Sequence, residues 1–156
     1  MAIAISLQEY LESHAIEYDT LTHPYTTSSM STAEAARISG EMVAKSVILE
    51  DENGYVMAVI PATHHVELGR ISQQLNRHLG LATEQELAKI FPDCDLGAIP
   101  PIGEAYGMEV VVDDSLDHCP DVYFEAGDHT GMVHVRGEEF RKMMNHAHHG
   151  HFTRHL

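Results

Sequence analysis

The chain has 156 residues, enough for one domain with a real core, and its 44% apolar and 21% charged composition is that of an ordinary globular protein rather than a disordered one. The 24 acidic residues outnumber 9 basic ones and leave a net charge of −15, which excludes non-specific binding along a phosphate backbone; DNA is not an expected partner. No apolar run approaches the roughly 20 residues that span a bilayer, so no membrane partner is expected, and the start from Met1 to Glu9 lacks the basic residues of a targeting signal. The expected setting is soluble and cytoplasmic.

Leu7, Tyr10 and Leu11 stand at i, i+3 and i+4, the apolar stripe of a short helix that Ser6 would cap. Tyr18 to Leu21 reads as a short strand before His23-Pro24, and the hydroxyl-rich stretch from Tyr25 to Met30 as a loop. Ser31-Thr32-Ala33-Glu34 has the form of a capping box, opening a helix that would stop at Gly40. Met42 to Leu49 and Tyr55 to Ile60 are two β-rich runs around Asn53-Gly54, a hairpin signal, with Pro61 closing the second strand.

Leu68, Ile71 and Leu75 have helical spacing, and Thr83-Glu84-Gln85-Glu86 is a second capping box ahead of Leu87, Ile90 and Phe91. Residues 97–107 form a shaped Gly/Pro loop. Met108 to Val112, Val122 to Ala126 and Met132 to Val135 read as strands, and Glu138 to Asn145 as a last helix. The order predicts an α+β domain, a mixed and largely antiparallel sheet flanked by helices, over residues 1–145. His146 to Leu156 is expected to be a flexible, His-rich C-terminal tail. Cys94 and Cys119 lie far apart in no CxxC pattern and are expected to be reduced thiols.

Three features could carry chemistry. Lys45, one of only three lysines, alternates with Val43 and Val47 on one strand face; it either snorkels at a sheet edge or points into a pocket. In Gly97-Ala98-Ile99-Pro100-Pro101-Ile102-Gly103 two glycines bracket a double proline. That segment is either a plain surface connection or a rigid edge presenting backbone N–H groups. Gly127-Asp128-His129-Thr130-Gly131 is either a hairpin loop or a substrate-facing histidine at a strand junction.

The tail's histidines invite a metal reading, but no defined ligand set accompanies them, and His64-His65 reads as a loop pair. No Walker loop, GxGxxG, HExxH or GxSxG occurs, so nucleotide hydrolysis, dehydrogenation and serine hydrolysis by those motifs have no support.

In this order the features resemble the YbaK/prolyl-tRNA-synthetase-associated editing-domain family over about residues 5–143. The marks are Ser31 to Ala36, the Val43-Ala44-Lys45-Ser46-Val47 strand, Val59-Ile60-Pro61-Ala62, the Gly97 to Gly103 loop, the strand ending at Asp113, and Gly127-Asp128-His129. The resemblance implies a trans-acting aminoacyl-tRNA deacylase, an enzyme hydrolysing the ester of a small, wrongly attached amino acid. It implies no metal and no cofactor.

The resemblance also assigns roles. Lys45 and the backbone of Gly97, Ala98 and Ile99 would be catalytic, with Lys45 holding the terminal nucleotide. Ser46, Pro100, Pro101, Gly103, Gly127, Asp128 and His129 would bind substrate. The implied partners are the acceptor end of an aminoacyl-tRNA and an aminoacyl-tRNA synthetase from which the rest of the grip could be borrowed. The alternative reading is a non-catalytic module on the same fold, sensing a ligand or a protein partner. It is motivated by the charge of −15 and the departures in the loop and tail.

Overall fold

The computed structural model describes residues 3–156, and these form the expected α+β architecture. The elements are α1 (Ile5–Ser13), β1 (Asp19–Thr22), α2 (Ser29–Ala36), β2 (Ala44–Asp51), β3 (Gly54–Pro61), β4 (His64–Val66), α3 (Leu68–Leu75), β5 (Gly80–Leu81), α4 (Glu84–Ile90), β6 (Glu109–Asp113), β7 (Asp121–Glu125), β8 (Gly131–Arg136), α5 (Gly137–Met143), β9 (His148–Gly150) and β10 (Thr153–His155).

A five-stranded sheet runs in the order β5-β2-β3-β6-β9, a three-stranded antiparallel sheet in the order β1-β8-β7, and β4 pairs with β10. The β2–β3 hairpin is fully registered from Ala44↔Pro61 to Asp51↔Gly54. Its turn is locked locally: Asn53 N–H donates to the Asp51 carboxylate (2.8 Å), and Gly54 takes a φ of +135° that a side chain would oppose. β6 joins β3 and β9 in parallel, so the sheet is mixed.

Alternation along β2 and β3 sends side chains to two apolar layers. Ala44, Ile48, Met57 and Val59 face the main core with Leu7, Leu11, Phe91, Phe124 and Phe140. Leu49, Val56, Ala58 and Ile60 face a second layer with Ile71, Leu79 and Phe152. Covering both faces explains why these strands read as almost unbroken apolar runs.

Several local expectations are corrected. The cap of α2 is Ser28, whose Oγ accepts the Ser31 N–H, so Ser31 to Glu34 lie inside the helix; it ends at Arg37 in the left-handed conformation, ahead of Gly40. An earlier hydroxyl in the run captured the helix start, while Thr32 turns inward. Ser6 does not cap α1; Ala4 holds that position, and the Ser6 N–H donates to Asp93 (3.0 Å). His64 and His65 lie on β4, not in a loop.

The largest correction concerns residues 146–156. They are not a tail: β9 extends the central sheet, β10 pairs with β4, and Phe152 is 0% exposed in the second layer. Asp113 Oδ1 accepts the Phe152 N–H (3.2 Å), and the Phe152 carbonyl accepts the Glu67 N–H (2.8 Å). Both cysteines are free, and no helix among the described residues is long and apolar enough to cross a membrane.

Candidate active site

The site begins with a gap in the edge of β2. At one end, Val43 forms an isolated bridge with Tyr123 of β7; at the other, Leu49 and Glu50 pair with β5, and the Ile48 carbonyl accepts the Ala82 N–H. Between them Ala44 to Val47 have no outer strand partner among the described residues. The gap opens into a cleft of about 350 Å³ between the two sheets, bounded by the 27–29 segment, Leu81-Ala82, Leu87, Gly97, Ile99 and Glu125.

Because the cleft meets the strand edge, residues from both faces of β2 reach it. Lys45 is half-buried there; its Nζ donates to the Ala62 carbonyl (3.4 Å), and burial pushes its pKa below the ordinary lysine value. Ser46 also lines the cleft, and its buried Oγ has no hydrogen-bond partner.

The Gly/Pro loop supplies the opposite wall through Gly97 and Ile99. Neither amide N–H has an internal partner among the described residues, so both are free to donate. The Ala98 N–H differs. It donates to the Asp95 carbonyl (3.1 Å), closing the turn, and is not free for a ligand as the resemblance implied. Gly97 has a φ of +84° and lies tight against Thr27 and His129: a Cβ there would sit 3.3 Å from the Thr27 carbonyl oxygen and 3.4 Å from the His129 ring.

The other expected binding residues sit behind this wall. Pro100, Pro101 and Gly103 are buried and do not line the cleft. A Cβ on Gly103 would meet Val110 at 2.8 Å, which makes Gly103 a packing glycine. Gly127 packs on Ala4 and its carbonyl accepts the Asp95 N–H (2.7 Å). Asp128 Oδ1 accepts the Thr130 and Gly131 amides, holding the β7–β8 turn. His129 is buried edge-on to Tyr25 and close against Gly97, and it does not line the cleft.

Sequence reasoning missed the site's buried acid. Glu125, 5% exposed at the end of β7, lines the cleft. Burial pushes its carboxyl up, against a pull downward from the Thr32 hydroxyl and from His23 and His129. Thr32 Oγ1 donates to Glu125 Oε1 (2.7 Å), and Oε2 has no partner. His23 Nδ1 lies 2.7 Å from the Pro24 carbonyl and must carry a proton toward it, so Nε2 faces Glu125 Oε1 at 3.4 Å. A glutamate within an apolar strand, just ahead of Gly127-Asp128-His129, was the available signal.

The aminoacyl-tRNA editing domain matches residues 23–143, from the histidine beside Glu125 through the last helix. The chain belongs to this family. Its members share an editing role on aminoacyl-tRNA, and the expected YbaK-type fold is the fold observed.

Solved structures agree on the fold at low sequence identity. A candidate trans-editing enzyme for prolyl-tRNA synthetase superposes with a TM-score of 0.85 at 19% identity, over 97% of this chain and 96% of that one. A hypothetical protein gives 0.83 at 18% identity, over 96% and 99%. A candidate signal transduction protein from Marinobacter aquaeolei VT8 gives 0.79 at 19% identity, over 97% of this chain but 31% of that chain, so the same fold also serves as one part of a longer protein. No curated protein sequence matches the chain. Strands β9 and β10 lie beyond the family match.

Proposed function

We propose that this editing-family member is a trans-acting deacylase that hydrolyses the ester of a small amino acid on the acceptor end of tRNA. The observation that carries this reading is the convergence of donors on one small cleft: the Gly97 and Ile99 amides and the Ser46 hydroxyl, which have no partner among the described residues, and the Lys45 ammonium, which donates to the Ala62 carbonyl.

An aminoacyl ester is already activated, so a water attacking its carbonyl carbon needs charge stabilisation more than a protein nucleophile. Attack makes a tetrahedral oxyanion. The C–O bond to the ribose then breaks, the ribose oxygen takes a proton, and a free amino acid leaves. The fixed amides of Gly97 and Ile99 stabilise the oxyanion without reorganising. Lys45 supplies a point charge for phosphate or hydroxyl on the terminal nucleotide.

A volume of about 350 Å³ lies at the small end of ligand sites, and suits an aminoacyl group with its ribose rather than a larger stretch of RNA. Fixed walls then sort amino acids by size. The charge of −15 favours gripping only the acceptor end, with a synthetase as partner for the rest of the tRNA.

The test is a panel of mischarged tRNAs incubated with wild type and Lys45→Ala. Release of a small amino acid such as alanine, serine or cysteine by wild type, and its loss in the variant, is the expected result. No turnover on any member, or equal turnover by Lys45→Ala, overturns the deacylase reading. Tight binding without turnover would establish the non-catalytic alternative instead.

A further inference from the structure

We propose that Glu41, His64 and His155 form a binding site for a borderline divalent cation, zinc by preference, outside the lining of the cleft. His64 on β4 and His155 on β10 are direct cross-strand partners, so their side chains leave the same face of the ladder. Glu41, from the short turn Gly40–Met42, reaches over both. One donor atom from each residue lies within 4.8 Å of the others.

The spacing fits the metal. Glu41 Oε1 is 3.0 Å from His155 Nε2, and Glu41 Oε2 is 3.8 Å from His64 Nε2. Tetrahedral zinc, with bonds of about 2.0–2.1 Å, separates its donor atoms by roughly 3.4 Å. Small rotations of the Glu41 carboxylate and the exposed His155 ring would bring the set to that geometry. Two imidazoles and one carboxylate are a zinc donor set, with a fourth position left to water.

The outer contacts orient the rings correctly. A metal on Nε2 needs the proton on Nδ1. His64 Nδ1 sits 2.8 Å from Thr153 Oγ1 and His155 Nδ1 sits 3.0 Å from the Leu156 carbonyl, and both oxygens can accept. His64 is the anchor, its side chain only 12% exposed, while Glu41 and His155 are half or more exposed and leave a path for the ion. The neighbouring trio Asp113, Asp114 and His151 is a poorer candidate: Asp113 already accepts the Ser115 and Phe152 amides.

None of the three residues lines the cleft, so the ion would take no part in ester hydrolysis. It would clip β10 and β4 to the connection leading into β2. Zinc titration of the metal-free full chain by calorimetry tests this, with His148→Ala/His151→Ala as the control for loose histidine binding. One zinc per chain, weakened at least about tenfold in both Glu41→Gln and His155→Ala but unchanged in the control, is the expected result. His155→Ala alters an exposed side chain, so loss of folding does not confuse it. X-ray absorption of the loaded protein should show two imidazoles among first-sphere donors at about 2.0–2.1 Å. No uptake, uptake unchanged in Glu41→Gln and His155→Ala, or uptake lost in the control pair overturns the site.

Discussion

Phe152→Ala is the sharpest test of how the C-terminal segment is held. Phe152 is 0% exposed and packs with Leu49, Val56, Ala58, Ile60, Ile71, Leu79 and Val111. Removing a fully buried phenylalanine ring from such a layer costs about 3–5 kcal/mol, the lost transfer energy plus the cavity. For a chain of this size, about 2–4 °C of melting temperature per kcal/mol makes that a fall of about 6–20 °C. Urea unfolding followed by far-UV circular dichroism gives the free energy, and a thermal scan gives the midpoint. His151→Ala is the control, since this residue's exposed side chain only pairs with Asp114 and its removal should change stability by no more than about 0.5 kcal/mol. A cost below about 1 kcal/mol for Phe152→Ala, or equality with the control, would refute the packing and restore the view of this segment as a loose appendage.

Glu125→Ala strands the His23 and Thr32 groups behind the cleft and should cost about 3 kcal/mol, whereas Glu125→Gln still accepts from Thr32 and should cost about 1 kcal/mol; urea midpoints separate the two. The Arg77 guanidinium holds the Asp51 carboxyl down to about 2, so the pair contributes stability above the ordinary aspartate range and loses it as pH falls through about 2. The stability gap between wild type and Arg77→Ala should therefore close on acidification from pH 5 toward 2, and a gap that widens would contradict it. Gly97→Ala places a Cβ at a φ of +84° against Thr27 and His129, costs about 1–2 kcal/mol in backbone strain, and should lower deacylation by about tenfold or more in single-turnover assays.

What could be read from the chain was local chemistry. The Asn53-Gly54 hairpin and the Thr83 capping box use residues within three positions of each other, and both form as expected. Lys45 was legible because a lysine inside an apolar strand is costly and therefore conspicuous. The Glu125–His23 pair was not, because its members come from β7 and from the connection after β1: Glu125 is conspicuous in its apolar strand, but nothing in sequence ties it to His23. The division of the Gly/Pro loop depended on a single turn bond, Ala98 N–H to Asp95, which leaves its neighbours' amides free. In α2, several hydroxyls within a few residues could each have capped the helix; Ser28 does so, while Thr32 turns inward to Glu125. The C-terminal strands were hidden by composition: five histidines between 146 and 155 obscured one phenylalanine, and three-residue strands have no periodicity to detect.

The interrupted edge of β2 has a bearing on self-association. A bare strand edge invites a strand from another copy, and long flat edges are where sheet proteins aggregate. Here the bare stretch is four residues, about 13 Å of strand, and is fenced by Tyr123 at one end and Leu81 at the other. That opening is too short for a foreign strand to pair along it at length, yet long enough for one small polar molecule. Lys45 stands in it, a charge of the kind that discourages edge-to-edge pairing. The protein can thus keep raw backbone groups on offer to a ligand in solution without exposing itself to its own kind.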